Sequence, residues 1–267
     1  MKKRALFALG LASLVLAGLF LRQRLQHGPH EAGPGSLVEG LDDDGHRVTF
    51  RIDSIAADTR DSEGETHLYG LSMKVGGAWE PYCAPDADGR RAAIPLSGSY
   101  DVSLAKMRVD AGSDTLTFAC TSGAIGKCVR FGYKPWKAEE RAISLGDLHA
   151  ACVRMIRADY CGNGQAHTVN GTRIDVYDRR GVQMPDPDPS HREQLEAGWS
   201  PTGATYLNVP RWSDDVAAIV KECPERLAHR TSLDEALTTA DQVTERFPET
   251  ILFDNRMRDP GDRLLGR

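Results

Sequence analysis

The chain has 267 residues, with 33 Lys and Arg against 38 Asp and Glu, 40% hydrophobic and 27% charged residues; this is the composition of a globular protein with one sizeable core or two small ones, not of a disordered chain or a polytopic membrane protein. All five charges among the first 24 residues are basic (Lys2, Lys3, Arg4, Arg22, Arg24), so the remainder holds 28 positive against 38 negative groups, a net of −10. An acidic body is a poor phosphate-backbone binder, because nonspecific nucleic-acid affinity comes from Lys and Arg displacing counterions, and no nucleic-acid partner is expected.

Residues 5–21 carry no charge and are dominated by Leu and Ala behind the basic Lys2-Lys3-Arg4, the layout of an export signal. A 17-residue helix would rise about 26 Å against a hydrocarbon core of roughly 30 Å, so residues 1–24 read equally as a cleaved signal peptide or a retained membrane anchor. The basic end favours a cytoplasmic N-terminus and a body outside, in the periplasm, the outer envelope or the medium. Membrane contact is expected only through residues 5–21, if they are retained. Gly28, Pro29, Gly33, Pro34 and Gly35 make residues 25–37 a flexible linker.

From there, residues 48–52, 66–75, 115–119 and 129–133 alternate apolar with polar residues between Gly, Asp or Pro, predicting short half-buried strands. The period changes at Ser144. Leu145, Leu148, Cys152, Met155 and Ile156 share one helical face, with Ser144 as N-cap and Asp147 completing a capping-box pattern, and the helix should end near residues 158–162. Asn170-Gly171 predicts a hairpin whose second strand turns Ile174 and Val176 to one side and Asp175 and Tyr177 to the other. Pro185, Pro187 and Pro189 make a stiff loop. After a strand at 205–209, two helices are expected, 213–222 and 232–247; the second carries a Ser232/Glu235 capping box, and Pro224 and Pro248 mark the stops. The fold class is α+β: a β-rich, disulfide-stapled domain over 38–212 with one central amphipathic helix, a C-terminal helical extension of two helices over 213–255, and a disordered tail at 256–267.

Cys83, Cys120, Cys128, Cys152, Cys161 and Cys223 form an even set in a chain sent to an oxidising space, so three disulfides are expected among fifteen possible connectivities. Cys120 and Cys128 flank a turn-like stretch and could close a small loop; Cys152 and Cys161 can pair only if the helix ends between them, because a continuous helix would hold them about 13 Å apart.

Arg157-Ala158-Asp159-Tyr160-Cys161-Gly162, with Cys152-Val153-Arg154-Met155 before it and His167-Thr168 and Asn170-Gly171-Thr172 after it, resembles the ADYC domain family, exported bacterial proteins found largely in myxobacteria. The run from Lys127 to Trp136, Gly198-Trp199-Ser200-Pro201 and Pro210-Arg211-Trp212 also look like that family's pattern. The resemblance implies an exported protein and brings no activity with it. Many members look like lipoproteins, whereas this chain has no Cys after its apolar segment.

Chemically, Cys161 between Asp159 and His167 is a candidate thiol nucleophile with an imidazole base, but a half-cystine cannot attack, and the even cysteine count favours a bridge. His149, His167, Cys152 and Cys161 lack zinc-ligand spacing, so no metal site is assigned. Asp42-Asp43-Asp44-Gly45 and Asp86-Ala87-Asp88-Gly89 look like calcium loops without the closing Glu and read as polar turns. Asp159, Asp175 and Asp178 are candidate paired carboxylates; the simpler reading has Asp159 salt-bridging Arg154 or Arg157 at the helix end and the other two facing solvent. Trp79, Trp136, Trp199 and Trp212 fit core or rim packing better than a glycan platform. Lys134 and Arg157 are weak anion candidates; Pro135 is read as ending a strand, with Trp136 over an edge and Lys134 in water. No cofactor motif is complete. The expected function is that of an exported cell-envelope or secreted noncatalytic binding or structural module for an unidentified envelope or extracellular ligand; the alternative is an extracytoplasmic hydrolase using Asp159, Cys161 and His167.

Overall fold

The computed structural model describes residues 32–41, 46–101, 105–108, 115–137, 142–169, 171–211 and 215–257. The expected signal or anchor, the Asp42-Asp43-Asp44-Gly45 run, Asn170, Trp212 and residues 258–267 of the expected tail lie outside the described residues.

Apolar alternation builds a first antiparallel sheet from β1 (Leu37–Leu41), β2 (Arg47–Ala57), β3 (His67–Val75), β4 (Ala78–Pro81) and β5 (Ala93–Ser97). After a small hairpin of β6 (Ser99–Asp101) and β7 (Lys106–Arg108), β8 (Leu116–Cys120) completes the order β1-β2-β3-β5-β8, with β4 on β3. Residues 35 and 36 of the expected linker are bonded to this sheet, the Gly35 N–H donating to the Ile52 carbonyl and the Ile52 N–H to the Ser36 carbonyl. Leu68, Ile94, Leu96 and Ala119 pack under Val129.

Val129 lies in α1 (Ala124–Arg130), where a strand was expected at 129–133. Five residues are too few to separate the two periods, and Gly132, at φ +93°, stops the helix. The central helix, α2 (Leu145–Arg157), follows the expected pattern: the Asp147 N–H donates to Ser144 Oγ at 3.0 Å, Leu148, Cys152 and Met155 are buried, and Ala158 ends it in the left-handed region at φ 49°.

A second antiparallel sheet, ordered β11-β10-β12-β9, combines β9 (Ile174–Asp178), β10 (Arg192–Ser200), β11 (Gly203–Leu207) and β12 (Leu252–Met257). The expected hairpin does not form, because β9 pairs with β12, whose register sets Val176 opposite Asp254; this partner lies far along the chain, beyond the reach of a local turn signal. The segment read as purely helical therefore supplies an inner strand of the sheet, and Arg256 and Met257, read as tail, belong to it.

The C-terminal helices are α3 (Val216–Glu222), α4 (Pro224–Leu227) and α5 (Ala240–Arg246). The expected helix at 232–247 thus shortens to α5, capped by Thr239 with Gln242 and not by Ser232 with Glu235. Residues 231–235 make a single turn instead, the Asp234 and Glu235 N–H groups donating to the Thr231 carbonyl; the segment is tied to β11 by the Ser232 N–H donating to the Leu207 carbonyl and by the Tyr206 hydroxyl, which donates to the Glu235 carbonyl and accepts from the Leu237 N–H. The Glu235 carbonyl and the Leu237 N–H, satisfied by the Tyr206 hydroxyl, are not available for further helical turns.

The second sheet is covered on both faces. Ala197, Trp199, Leu207 and Leu252 face α2, whereas Leu195, Tyr206 and Phe253 face α5. Leu195 and Ala197 share parity, yet point oppositely because the β10–β12 register shifts between them. This bulge turns Glu196 to the α2 side beside Ala197, as bulges re-aim side chains.

All six cysteines are paired: Cys83–Cys120 across the first sheet, Cys128–Cys152 between α1 and α2, and Cys161–Cys223 between the end of the central-helix segment and the end of α3. The local Cys120–Cys128 bridge is not made, because α1 turns Cys128 toward α2 at a Cα separation of 5.8 Å from Cys152. Three disulfides match the chemistry of an oxidising extracytoplasmic space. No helix among the described residues is long and apolar enough to cross a membrane.

Candidate functional site

The residues expected to carry chemistry meet just beyond the left-handed turn of Ala158. Asp159 is fully buried; its carboxylate pairs with the Arg154 guanidinium and accepts from the Asn163 and Gly164 N–H groups at 3.1 and 3.0 Å. Its acceptors are therefore engaged in closing the helix end, as the ion-pair reading expected, with Arg154 as the partner. Arg157 donates to the Gly164 carbonyl at 2.5 Å and braces the same loop.

Tyr160 enters the core, where its ring stacks on Trp199 and its hydroxyl donates to Glu196 Oε1 at 2.6 Å. Burial, followed by the Glu196 charge, holds the phenol far above its ordinary range. Cys161 bonds to Cys223 at a Cα separation of 5.6 Å, and its carbonyl accepts from Arg226 Nε at 3.0 Å. The Gly162 backbone, at φ +70°, runs so close to the β10–β11 turn that an added Cβ would collide with the Thr202 carbonyl.

His167 lies over Tyr160, its Nδ1 3.1 Å from the Ala158 carbonyl and its Nε2 2.9 Å from Glu222. Asp159, Cys161 and His167 are thus gathered into one knot, but each is bonded away from the others. The sulfurs of Cys152 and Cys161 lie in different disulfides, and His149 sits elsewhere against the Ile125 carbonyl, so the residues weighed as zinc ligands do not converge.

The remaining candidates are scattered. Asp175 and Asp178, expected in solvent, are buried at 7% and 9% exposure. Asp175 accepts from the Asp186 N–H and Asn255 Nδ2, and Asp178 from the Tyr133 hydroxyl and three N–H groups of the loop after β9, because non-local loops fold over them. Asp86 forms a turn, accepting from the Asp88 and Arg90 N–H groups and bound by Arg130. Lys134, expected in water, is 5% exposed and sits 2.7, 2.6 and 3.0 Å from Asp61, Glu63 and Glu65. Burial opposes its charge, but those three carboxylates hold the ammonium above its ordinary range. No strand ends at Pro135: the segment before it is α1 and the turn at Gly132. Trp199 is core, Trp79 lies half-buried under Arg51 on β4, and Trp136 is exposed, so the three form no common platform.

Two features have no counterpart in the sequence reading. The first is a wholly buried charge cluster beneath Tyr160. Arg211 reaches Glu196 at 2.7 Å and Asp254 at 2.9 Å, Trp199 Nε1 donates to Asp254 at 2.7 Å, and Asp254 and Glu196 share a hydrogen bond. Burial, then the Glu196 charge, holds the Asp254 carboxyl well above the usual range. Position in the Pro210-Arg211-Trp212 run was the only sequence signal for Arg211. The second is a cleft of about 340 Å³ on the outer side of Cys161, walled by Ser200, Thr202, Thr205, Arg226, Arg230 and Glu249. Arg226 and Arg230 lie past the regions where motif spacing directed attention.

No curated protein and no solved structure matches the chain. The model of the ADYC domain, by contrast, matches residues 34–213, more than half of the sequence. The Ala158-Asp159-Tyr160-Cys161 turn and the helix, sheet and bridge that hold it all fall in the matched span or bond to it, and the chain belongs to the ADYC domain family.

Proposed function

We propose that this protein is an exported, noncatalytic binding or structural module of the cell envelope or secreted space. The observation that carries the reading is the Cys161–Cys223 disulfide: it removes the one candidate nucleophile of the motif, because a half-cystine has no thiolate to attack with. The engagement of Asp159 by Arg154 and of His167 by Glu222 supports the same reading. The basic-then-apolar N-terminus supports export, either released by cleavage or tethered through residues 5–21. A hydrolase built on Asp159, Cys161 and His167 would need all three to be released from these partners.

Nonreducing peptide mapping of the natively produced protein, isolated by cell fractionation, tests the proposal. A Cys161–Cys223 crosslinked peptide from the extracytoplasmic fraction is expected. An alkylatable Cys161 thiol, or recovery of the reduced chain from the cytosol, would overturn it.

A further inference from the structure

The cleft beside Cys161 is lined by two arginines, Arg226 and Arg230, and two glutamates, Glu225 and Glu249. Arg226 donates through Nε to the Cys161 carbonyl and through Nη1 to Thr202 Oγ1 at 3.4 Å, both neutral acceptors. Among the described residues no carboxylate forms an ion pair with it. Arg230 lines the same cleft and is held by Glu249 at 2.6 Å, where both side chains are open to solvent. Burial, then the nearby Arg154 and Arg230 charges, weakens the hold of Arg226 on its proton, against the opposing Asp159 and Glu225 charges.

The walls add the rest of a polar site. Ser200 Oγ and Thr202 Oγ1 lie 3.1 Å apart, and the Thr205 carbonyl on β11 accepts from Arg230 Nη1 at 3.4 Å. The volume, about 340 Å³, is that of a small ligand. The floor is preorganised by the Cys161–Cys223 bridge and by the close approach of Gly162 to Gly203. Planar guanidiniums beside hydroxyls match oxyanions, which accept two parallel N–H bonds from one Arg.

We propose that Arg226 and Arg230, with Ser200 and Thr202, form a binding site for the oxyanion group of a small hydrophilic molecule, either a phosphate ester or a carboxylate such as a phosphorylated or acidic sugar. The site names a ligand class for the binding module proposed above and rests on that reading.

The test is ligand-observed NMR on the full oxidised chain in detergent micelles, titrated with inorganic phosphate, glucose 6-phosphate, glucuronate and uncharged glucose. Phosphate and glucose 6-phosphate, or glucuronate, should bind in preference to glucose and weaken as salt is raised; which arm responds distinguishes phosphate from carboxylate. Arg226→Gln should weaken binding about tenfold, as expected for loss of a charge-assisted pair. Glu249→Gln, which frees Arg230 without touching the floor, should tighten it severalfold and keeps the test valid if Arg226→Gln fails to fold. Lys74→Gln, on the first sheet, should change nothing. Equal binding of glucose, no binding of any anion, or unchanged affinity in Glu249→Gln would overturn the site and leave the module reading standing. Release of phosphate from bound glucose 6-phosphate would uphold the site and overturn the noncatalytic reading.

Discussion

Tyr160 and Trp199 stack with ring centroids 5.4 Å apart and 21° between planes, and their polar ends reach the two carboxyl groups of one buried cluster, the phenol Glu196 and the indole N–H Asp254. The namesake tyrosine of the motif is therefore the contact through which the end of α2 is registered on the second sheet. Tyr160→Phe keeps the ring but leaves Glu196 short of a donor in a site without water access. The expected loss is about 1–3 kcal/mol of stability, read by urea denaturation of the oxidised protein. A change within a few tenths would mean that the hydrogen bond is replaced elsewhere.

Arg211 is the cation of that cluster, and a buried pair broken from one side leaves an uncompensated charge. Arg211→Met should cost about 3–5 kcal/mol, more than Tyr160→Phe, and the two effects should not add, because both variants strip partners from Glu196. A double-mutant cycle checks this; strict additivity would show the two contacts to be independent.

His149 is buried against the Ile125 carbonyl and the edge of Tyr100, and burial lowers its pKa to about 4 from an ordinary 6.5. Above pH 6.5 the ring is neutral in both folded and unfolded chains and stability does not depend on it. Between pH 6.5 and 4 the unfolded chain binds a proton that the folded chain refuses, so stability falls as pH falls, by up to about 3 kcal/mol, and the slope ends below pH 4. Comparing wild type with His149→Gln at pH 7, 5.5 and 4.5 isolates this slope from that of the carboxylates; parallel curves would exclude His149 as its source.

The Cys161–Cys223 bridge closes a span of 62 residues. Replacing both cysteines with Ser should remove roughly 4 kcal/mol if loop entropy sets the effect. Gly162→Ala should also destabilise, because its Cβ would strike the Thr202 carbonyl and its φ of +70° disfavours a side chain. Thermal unfolding of both variants under nonreducing conditions measures the effects. A Gly162→Ala variant as stable as wild type would mean that the β10–β11 turn moves freely.

The sequence by itself determined the features whose cause is local. Ser144 and Asp147 cap α2 because a helix start needs its first N–H groups satisfied within a few residues, and Leu148, Cys152 and Met155 face inward because their spacing matches the helical period. The even cysteine count determined that the sulfurs pair, and the residues around Asp159-Tyr160-Cys161 identified the family.

Only the tertiary structure decided which cysteines meet, which strand lies beside β9, and why residues 232–239 do not continue a helix despite a complete capping pattern. Each answer depends on a partner distant in the chain: Cys128 needs the facing turn of α2, β9 needs β12, and residues 232–237 are held by the Leu207 carbonyl and the Tyr206 hydroxyl of β11. The Arg211 cluster and the Arg226 cleft are of the same kind. Their charges stand singly among unremarkable neighbours in the sequence, and become a buried cluster and an anion-sized cleft only where a β-bulge, a disulfide and a strand crossing bring them within bonding distance.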